Sequence, residues 1–157
     1  MNFEVQLLKK SILIVDDDEA LSESIKEVLA SRGFQNIHVA YSISEGINVF
    51  SVSHIDLIIL DVMLPDGEGY LLSEYVRESS DVPILFLTAK NNPDDEIRGL
   101  DSGGDDYVTK PFLPKSLTYR IIALLRRAYK DESEIIELDN CTIDLSSASV
   151  KKNDEIL

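Results

Sequence analysis

Two short apolar runs in this chain end in carboxylates. Ile12 to Val15 (ILIV) leads into Asp16, Asp17, Asp18 and Glu19, and Leu57 to Leu60 (LIIL) leads into Asp61. Two more runs end in other chemistry: Ile84 to Leu87 (ILFL) in Thr88, and the short Tyr107-Val108 segment at Lys110-Pro111. Short branched apolar runs read as strands buried on both faces of a parallel sheet. Parallel strands bring their C-terminal tips to one edge, where open α/β sheets bind ligands. If the first and third strands are neighbours, Asp16, Asp17 and Asp61 crowd one pocket. Like charges that close do not all stay ionised without a compensating cation. An oxygen-only donor set suits a hard ion such as Mg²⁺, which accepts carboxylates, waters and phosphate oxygens. An Asp beside Mg²⁺ can act as a nucleophile toward phosphorus, giving an aspartyl phosphate. Lys110 would supply a second cation and Thr88 a hydroxyl donor for the transferring group. The plainer role for Asp61 alone is a strand-ending residue before the Pro65-Asp66-Gly67 turn. Asp18 and Glu19 read as the cap and first-turn charge of a following helix.

The elements that must hold these residues alternate. A helical stripe at Leu21, Ile25, Val28 and Leu29 follows the first acidic run and ends at Gly33. Ile37 to Ala40 is a short strand, and Ser44 to Phe50 a helix with Ile43, Ile47 and Phe50 on one side. After Asp61 and its turn, Leu71, Leu72, Tyr75 and Val76 form another stripe. Pro93 to Leu100 reads as a helix broken by Gly103 and Gly104. A long helix follows Pro114, with Leu117, Ile121, Leu124, Leu125 and Ala128 inward. Phe3 to Lys10 is a lead-in with little pattern. Five strands and five helices in βα order demand right-handed crossovers and a parallel sheet covered on both faces. From about Ser133 the pattern changes to short apolar alternations separated by Asp139-Asn140, Ser146-Ser147 and Asn153-Asp154, which suggests antiparallel strands.

Composition narrows the function classes. The net charge of −14 over 157 residues argues against general nucleic-acid binding by this chain alone. Residues 131–157 carry a net −6 of that total. Hydrophobic content of 44% supports a real core. The single cysteine, Cys141, excludes an internal disulfide and a cysteine-based metal site; it reads as a small buried apolar residue. No signal peptide or membrane-spanning stretch is evident, so a soluble cytoplasmic protein without membrane contact is expected. His38 and His54 are isolated, without partner spacing, and read as structural or surface residues.

Together, ILIVDDDEA, DVMLPDGEGY, LTAK (Leu87 to Lys90) and GGDDYVTKPF resemble a response-regulator receiver domain over roughly residues 10–130. The resemblance implies a flavodoxin-like (βα)5 doubly wound parallel sheet of strand order 2-1-3-4-5, followed here by a short antiparallel β segment. It implies that Asp61 is the phosphoacceptor and that Asp16, Asp17 and Asp61 hold Mg²⁺ with the backbone carbonyl of Met63. Lys110 matches the family's lysine, with a cis Lys110-Pro111 bond. Thr88 and Tyr107 match the pair that shifts on phosphorylation. A sensor histidine kinase is the implied donor, and the chain would catalyse only its own phosphoryl transfer and dephosphorylation.

GLDSGGDDYVTKPF followed by a helix ending LLRR is similar to the OmpR/PhoB subfamily of transcription regulators. In that subfamily a hinge (131–133 here) leads to a small sheet (134–157 here) that introduces a winged-helix DNA-binding domain. The recognition helix would lie beyond Leu157, so DNA would be met only through that absent region. The subfamily dimerises through its fourth helix, fifth strand and fifth helix, and Asp106 and Arg120 stand where one charge pair of that face is expected. Glu96 and Ser116 depart from the usual basic and acidic residues of another pair. The competing expectations are a stand-alone receiver acting by protein contact and a Mg²⁺-dependent phosphohydrolase. The latter usually needs a second acid two residues after its nucleophile, where this chain has Met63.

Overall fold

The computed structural model describes residues 3–89 and 103–130, with two short strands near the end of the chain. Strands β1 (Ser11–Val15), β2 (Asn36–Ala40) and β3 (Leu57–Asp61) form the first half of a parallel sheet. A small antiparallel hairpin, β4 (Met63–Leu64) and β5 (Gly67–Glu68), follows directly. Strands β6 (Ile84–Thr88) and β7 (Asp106–Thr109) complete the sheet in the order β2-β1-β3-β6-β7. Apart from the hairpin, this is the expected 2-1-3-4-5 order. The tail contributes the antiparallel pair β8 (Lys151–Lys152) and β9 (Glu155–Ile156). The hinge at 131–133, the helix at Pro93 to Leu100, and most of the proposed tail sheet lie outside the described residues. Among the described residues no helix is long and apolar enough to cross a membrane.

Each central strand divides its side chains between two cores. Ile12, Ile14, Leu57, Ile59, Leu85 and Leu87 face α2 (Glu19–Ser31) and α5 (Pro114–Ala128). Leu13, Val15, Ile58, Leu60, Ile84 and Phe86 face α3 (Ile43–Val52) and α4 (Tyr70–Arg77). Leu57 to Leu60 are completely buried, and each such side chain contributes on the order of 1.5–3 kcal/mol. The chain leaves α2 at Gly33, where φ is +106°, the left-handed conformation expected of a helix terminator.

Three helical readings need correction. Phe3–Leu7 forms a short helix, α1, and Leu7 is buried in the α2–α5 core rather than belonging to a patternless lead-in. In α4, Leu71 and Tyr75 point outward, while Tyr70, Leu72, Ser73 and Val76 are buried. Two stripes one residue apart were available, and tertiary contacts select between them. The Tyr70 ring packs at 5.3 Å on Phe86, and the Tyr75 hydroxyl meets Ser51 Oγ at 3.0 Å on the outside. In α5, Ala128 is exposed. Tyr129 ends the helix instead, donating its hydroxyl to the Asp56 carbonyl at 2.7 Å under the Lys10 ammonium.

Arg77 ties α4 to the strands beside it. Its guanidinium donates to the carbonyls of Ser80, Val82 and Gly103 and to the Asp105 carboxylate. Asp105 in turn accepts from the amide of Ile84 at 2.8 Å. One cation therefore joins the end of α4 to the starts of β6 and β7.

Gly69 fixes where α4 begins. Its amide donates to the Val62 carbonyl at 2.7 Å, and a Cβ there would run into the backbone carbonyl oxygen of Asp61. Because that obstacle is backbone, Gly69→Ala should cost about 1–3 kcal/mol, measured as a lowered urea midpoint. Ser44→Ala, at an exposed position, should cost far less.

Candidate functional site

The sheet order makes β1 the neighbour of β3, pairing Val15 with Leu60. The next residues, Asp16 and Asp61, therefore emerge side by side at the C-terminal edge. Asp16 is completely buried and Asp61 nearly so, whereas Asp17 is exposed. One carboxylate oxygen from each of Asp16, Asp17 and Asp61 lies within 4.8 Å of the others. The Lys110 ammonium enters from β7 and bridges two of them, 3.0 Å from Asp16 Oδ2 and 3.2 Å from Asp61 Oδ2.

Local structure holds each side chain. Asp16 Oδ1 accepts from the Asp18 amide at 2.9 Å, and the Asp16 carbonyl accepts from Ser22 Oγ at 3.2 Å. Asp18 caps α2 through the Leu21 amide at 3.0 Å, as its position before a helical stripe suggested. Asp61 Oδ1 accepts from the Met63 amide at 3.3 Å, and the Met63 side chain is 58% exposed. The Lys110 amide donates to the Thr88 carbonyl, and Lys110-Pro111 is cis, as the resemblance implied.

Burial is the main cause that raises the Asp61 carboxyl from 3.8 to about 6, and repulsion from Asp16 adds to it; Lys110 and the Met63 amide pull the other way. For Lys110, burial opposes the charged form. Its hydrogen bonds and charge contacts with Asp16 and Asp61 more than offset burial, so its affinity for the proton is raised. A buried carboxylate without a partner costs several kcal/mol, so one ammonium shared by two acids leaves the pocket short of positive charge. The all-oxygen donors, one of them solvent-facing, fit a hard divalent cation that keeps some of its waters. This acidic group is able to hold a metal ion.

Thr88 is buried at the tip of β6. Tyr107 is the cross-strand partner of Phe86, with ring centroids 6.3 Å apart. Its hydroxyl is buried and has no hydrogen-bond partner among the described residues, an uncommon condition for such a group. Asp106 and Arg120 pair within the chain at 3.2 Å; Ser116 is exposed on α5, and Glu96 lies outside the described residues. Ser22 was missed by sequence reading because the apolar stripe of α2 drew attention to Leu21, which is less buried. His54 has a partner after all: its Nε2 lies 2.8 Å from Asp56 Oδ1, at the opposite edge of the sheet from Asp61.

The raised carboxyl gives a pH dependence with a definite sign. The folded chain binds the Asp61 proton more tightly than the unfolded chain, so stability falls as pH rises from about 4 to about 6. In metal-free buffer, Asp61→Asn should gain on the order of 1–3 kcal/mol over the parent near pH 7. Urea unfolding should find the gain gone by about pH 3, where Asp61 is protonated in both the folded and the unfolded parent.

A family model described as the response regulator receiver domain matches residues 12–122. The chain is 46% identical over 122 residues to the transcriptional regulatory protein YvrH of Bacillus subtilis (strain 168), covering 78% of this chain and 52% of that one. It is 36% identical over 154 residues to the phosphate regulon transcriptional regulatory protein PhoB of Escherichia coli (strain K12), covering 96% of this chain and 67% of that one. The chain thus spans about half the length of YvrH and two thirds that of PhoB. Among solved structures it is similar to a two-component response regulator from Clostridium difficile, with TM-score 0.73 and 34% identity over 76% of this chain and 98% of that one. The protein described here belongs to the response regulator receiver family.

Proposed function

We propose that this chain is a phosphorylation-activated response regulator whose phosphoacceptor is Asp61, supplied by a sensor histidine kinase. The observation that carries the reading is the pocket at the sheet edge, where three carboxylates converge on one lysine. Asp16, Asp17, Asp61 and the Met63 carbonyl would hold Mg²⁺. When bound, that ion supplies the charge that offsets repulsion between the acceptor carboxylate and an anionic phosphoryl group.

The chain's own residues then do the following. A carboxylate oxygen of Asp61 forms a bond to phosphorus while the bond from phosphorus to the leaving group breaks, and the leaving group departs with the electron pair. Asp61 must be ionised to do this, and Lys110 favours that form. Once Asp61 carries the phosphoryl group, the Lys110 ammonium neutralises its oxygens, and the buried Thr88 hydroxyl donates to them. Thr88 and Tyr107 lie toward the same face of the sheet, so movement of Thr88 toward Asp61 frees space for the Tyr107 ring. The ring's hydroxyl, without a partner among the described residues, favours a second, better-satisfied position.

We assign the receiver domain to 10–130, the hinge to 131–133, and the start of a DNA-binding effector to 134–157. Similarity to PhoB over 154 residues supports this division. DNA contact and transcription control would belong to the effector. Dimerisation of the phosphorylated form would use β7, α5 and the helix expected at Pro93 to Leu100. Arg120 and Asp106 would exchange their internal pair for one across the dimer, a trade worth only about 0–1 kcal/mol for an exposed pair. A cytoplasmic location suits a partner kinase with a cytoplasmic catalytic core. The hydrolase alternative lacks its second acid, because Met63 occupies that position.

A small-molecule phosphodonor with Mg²⁺ should add one acid-type phosphate, read by intact mass. Labelling should vanish with a chelator or in Asp61→Asn, and Lys110→Ala should slow it by about 10²-fold. Labelling that persists in Asp61→Asn would refute the acceptor assignment. Gel filtration should then move the phosphorylated chain toward a dimer, an effect weakened in Arg120→Ala.

A further inference from the structure

The hairpin that follows the acceptor is fastened at a point remote from the chemistry. Its turn is Pro65-Asp66, between β4 and β5. The Asp66 carboxylate accepts from the amides of Ile43 at 2.9 Å and Ser44 at 3.0 Å, the first two amides of α3. The third amide, of Glu45, bonds to Ser42 Oγ at 3.1 Å, and that of Gly46 makes the first bond internal to the helix, to the Ser42 carbonyl at 3.0 Å. A helix leaves its first four amides without internal partners, so Asp66 satisfies half of this set from a distant part of the sequence. The contact also keeps the Asp66 carboxyl below the usual range, chiefly through the Ile43 and Ser44 amides.

The other end of the hairpin is fixed at the acceptor. The Met63 amide donates to Asp61 Oδ1 at 3.3 Å, and the Val62 carbonyl accepts from the Gly69 amide at 2.7 Å. The five residues from Met63 to Gly67 thus form a short span with Asp61 at its root and α3 at its tip. The Met63 residue is more than half exposed. Val62 and Leu64 on either side pack against the core, and the Asp66 clamp acts together with these contacts in placing the Met63 backbone.

We propose that Asp66 is a positioning residue for the metal-dependent chemistry of Asp61: by clamping the hairpin tip to the N-terminus of α3, it sets the Met63 backbone beside the acidic pocket and so sets the affinity for Mg²⁺. This rests on the function proposed above. Residues that orient a metal's ligands change its affinity by about 10–100-fold when removed.

The test compares Asp66→Ala, Asp66→Asn and Ser42→Ala in the full chain. Mg²⁺ alone is the probe, its binding is followed by calorimetry, and the Met63 amide resonance is compared in metal-free samples. Asp66→Ala should weaken Mg²⁺ binding by about ten-fold and shift the Met63 amide before metal is added. Asp66→Asn, which keeps one acceptor oxygen, should fall between it and the parent. Ser42→Ala removes a cap from the same helix end without touching the hairpin, and it should leave Mg²⁺ affinity close to that of the parent. Unchanged affinity in Asp66→Ala, or an equal loss in Ser42→Ala, would overturn the positioning role while leaving the parent's own Mg²⁺ binding intact. A parent chain that binds no Mg²⁺ would instead overturn the reading of the pocket itself, and this inference with it.

Discussion

One ammonium group shared between two buried carboxylates is the constraint on which this molecule's active edge depends. Asp16 and Asp61 sit where water cannot solvate them fully, and Lys110 touches both. Among the described residues a single positive charge touches this acidic cluster, which leaves an electrostatic deficit. That deficit suits the pocket to a metal ion, and burial, with repulsion from Asp16, raises the Asp61 carboxyl to about 6. Pairing every acid with a basic side chain would stabilise the fold but leave nothing to respond to a ligand.

The scaffold makes this strained arrangement possible by making everything around it unambiguous. β1 and β3 are apolar on both faces and enclosed by two helical layers, and they run in parallel register with Val15 opposite Leu60. Register decides which residues reach the edge together. A slip of one residue would turn Asp61 and its preceding run toward the wrong core. The cap at Asp18, the Gly69 amide on Val62 and the clamp at Asp66 then fix the loops that leave the edge. The rigid sheet supplies position, and the loops supply the donor atoms.

Away from that edge the packing is less symmetric. Tyr107 places a hydroxyl in a buried position without a hydrogen-bond partner among the described residues, and Arg77 concentrates five hydrogen bonds at the opposite end of the neighbouring strands. The Arg77 end of β6 and β7 is therefore tightly satisfied, while farther along β7 the Tyr107 hydroxyl has no hydrogen-bond partner among the described residues. A polar group without a partner has less to lose on moving than one held by several hydrogen bonds.

Much of this was readable in the sequence because the relevant signals are local and periodic. Four apolar runs ending in Asp, Thr or Lys specify buried strands, a common edge and the acidic chemistry there, since strand burial depends chiefly on side-chain type. The cap at Asp18 and the stop at Gly33 are equally local. What the tertiary structure alone decided are matters of phase and partnership. Neighbouring stripes in α4 were equally apolar, and the Tyr70–Phe86 contact chose between them. Ala128 or Tyr129 could have closed α5, and the carbonyl of Asp56 chose Tyr129. Neither the Asp66 clamp nor the His54–Asp56 contact is visible as a pattern, the first because its partners are 22 and 23 residues apart, the second because a two-residue spacing carries no signal by itself. Spacing along the chain encodes which side chains are apolar and how often they recur; only the folded chain brings a lone polar group to the one amide or carbonyl that lacks a partner.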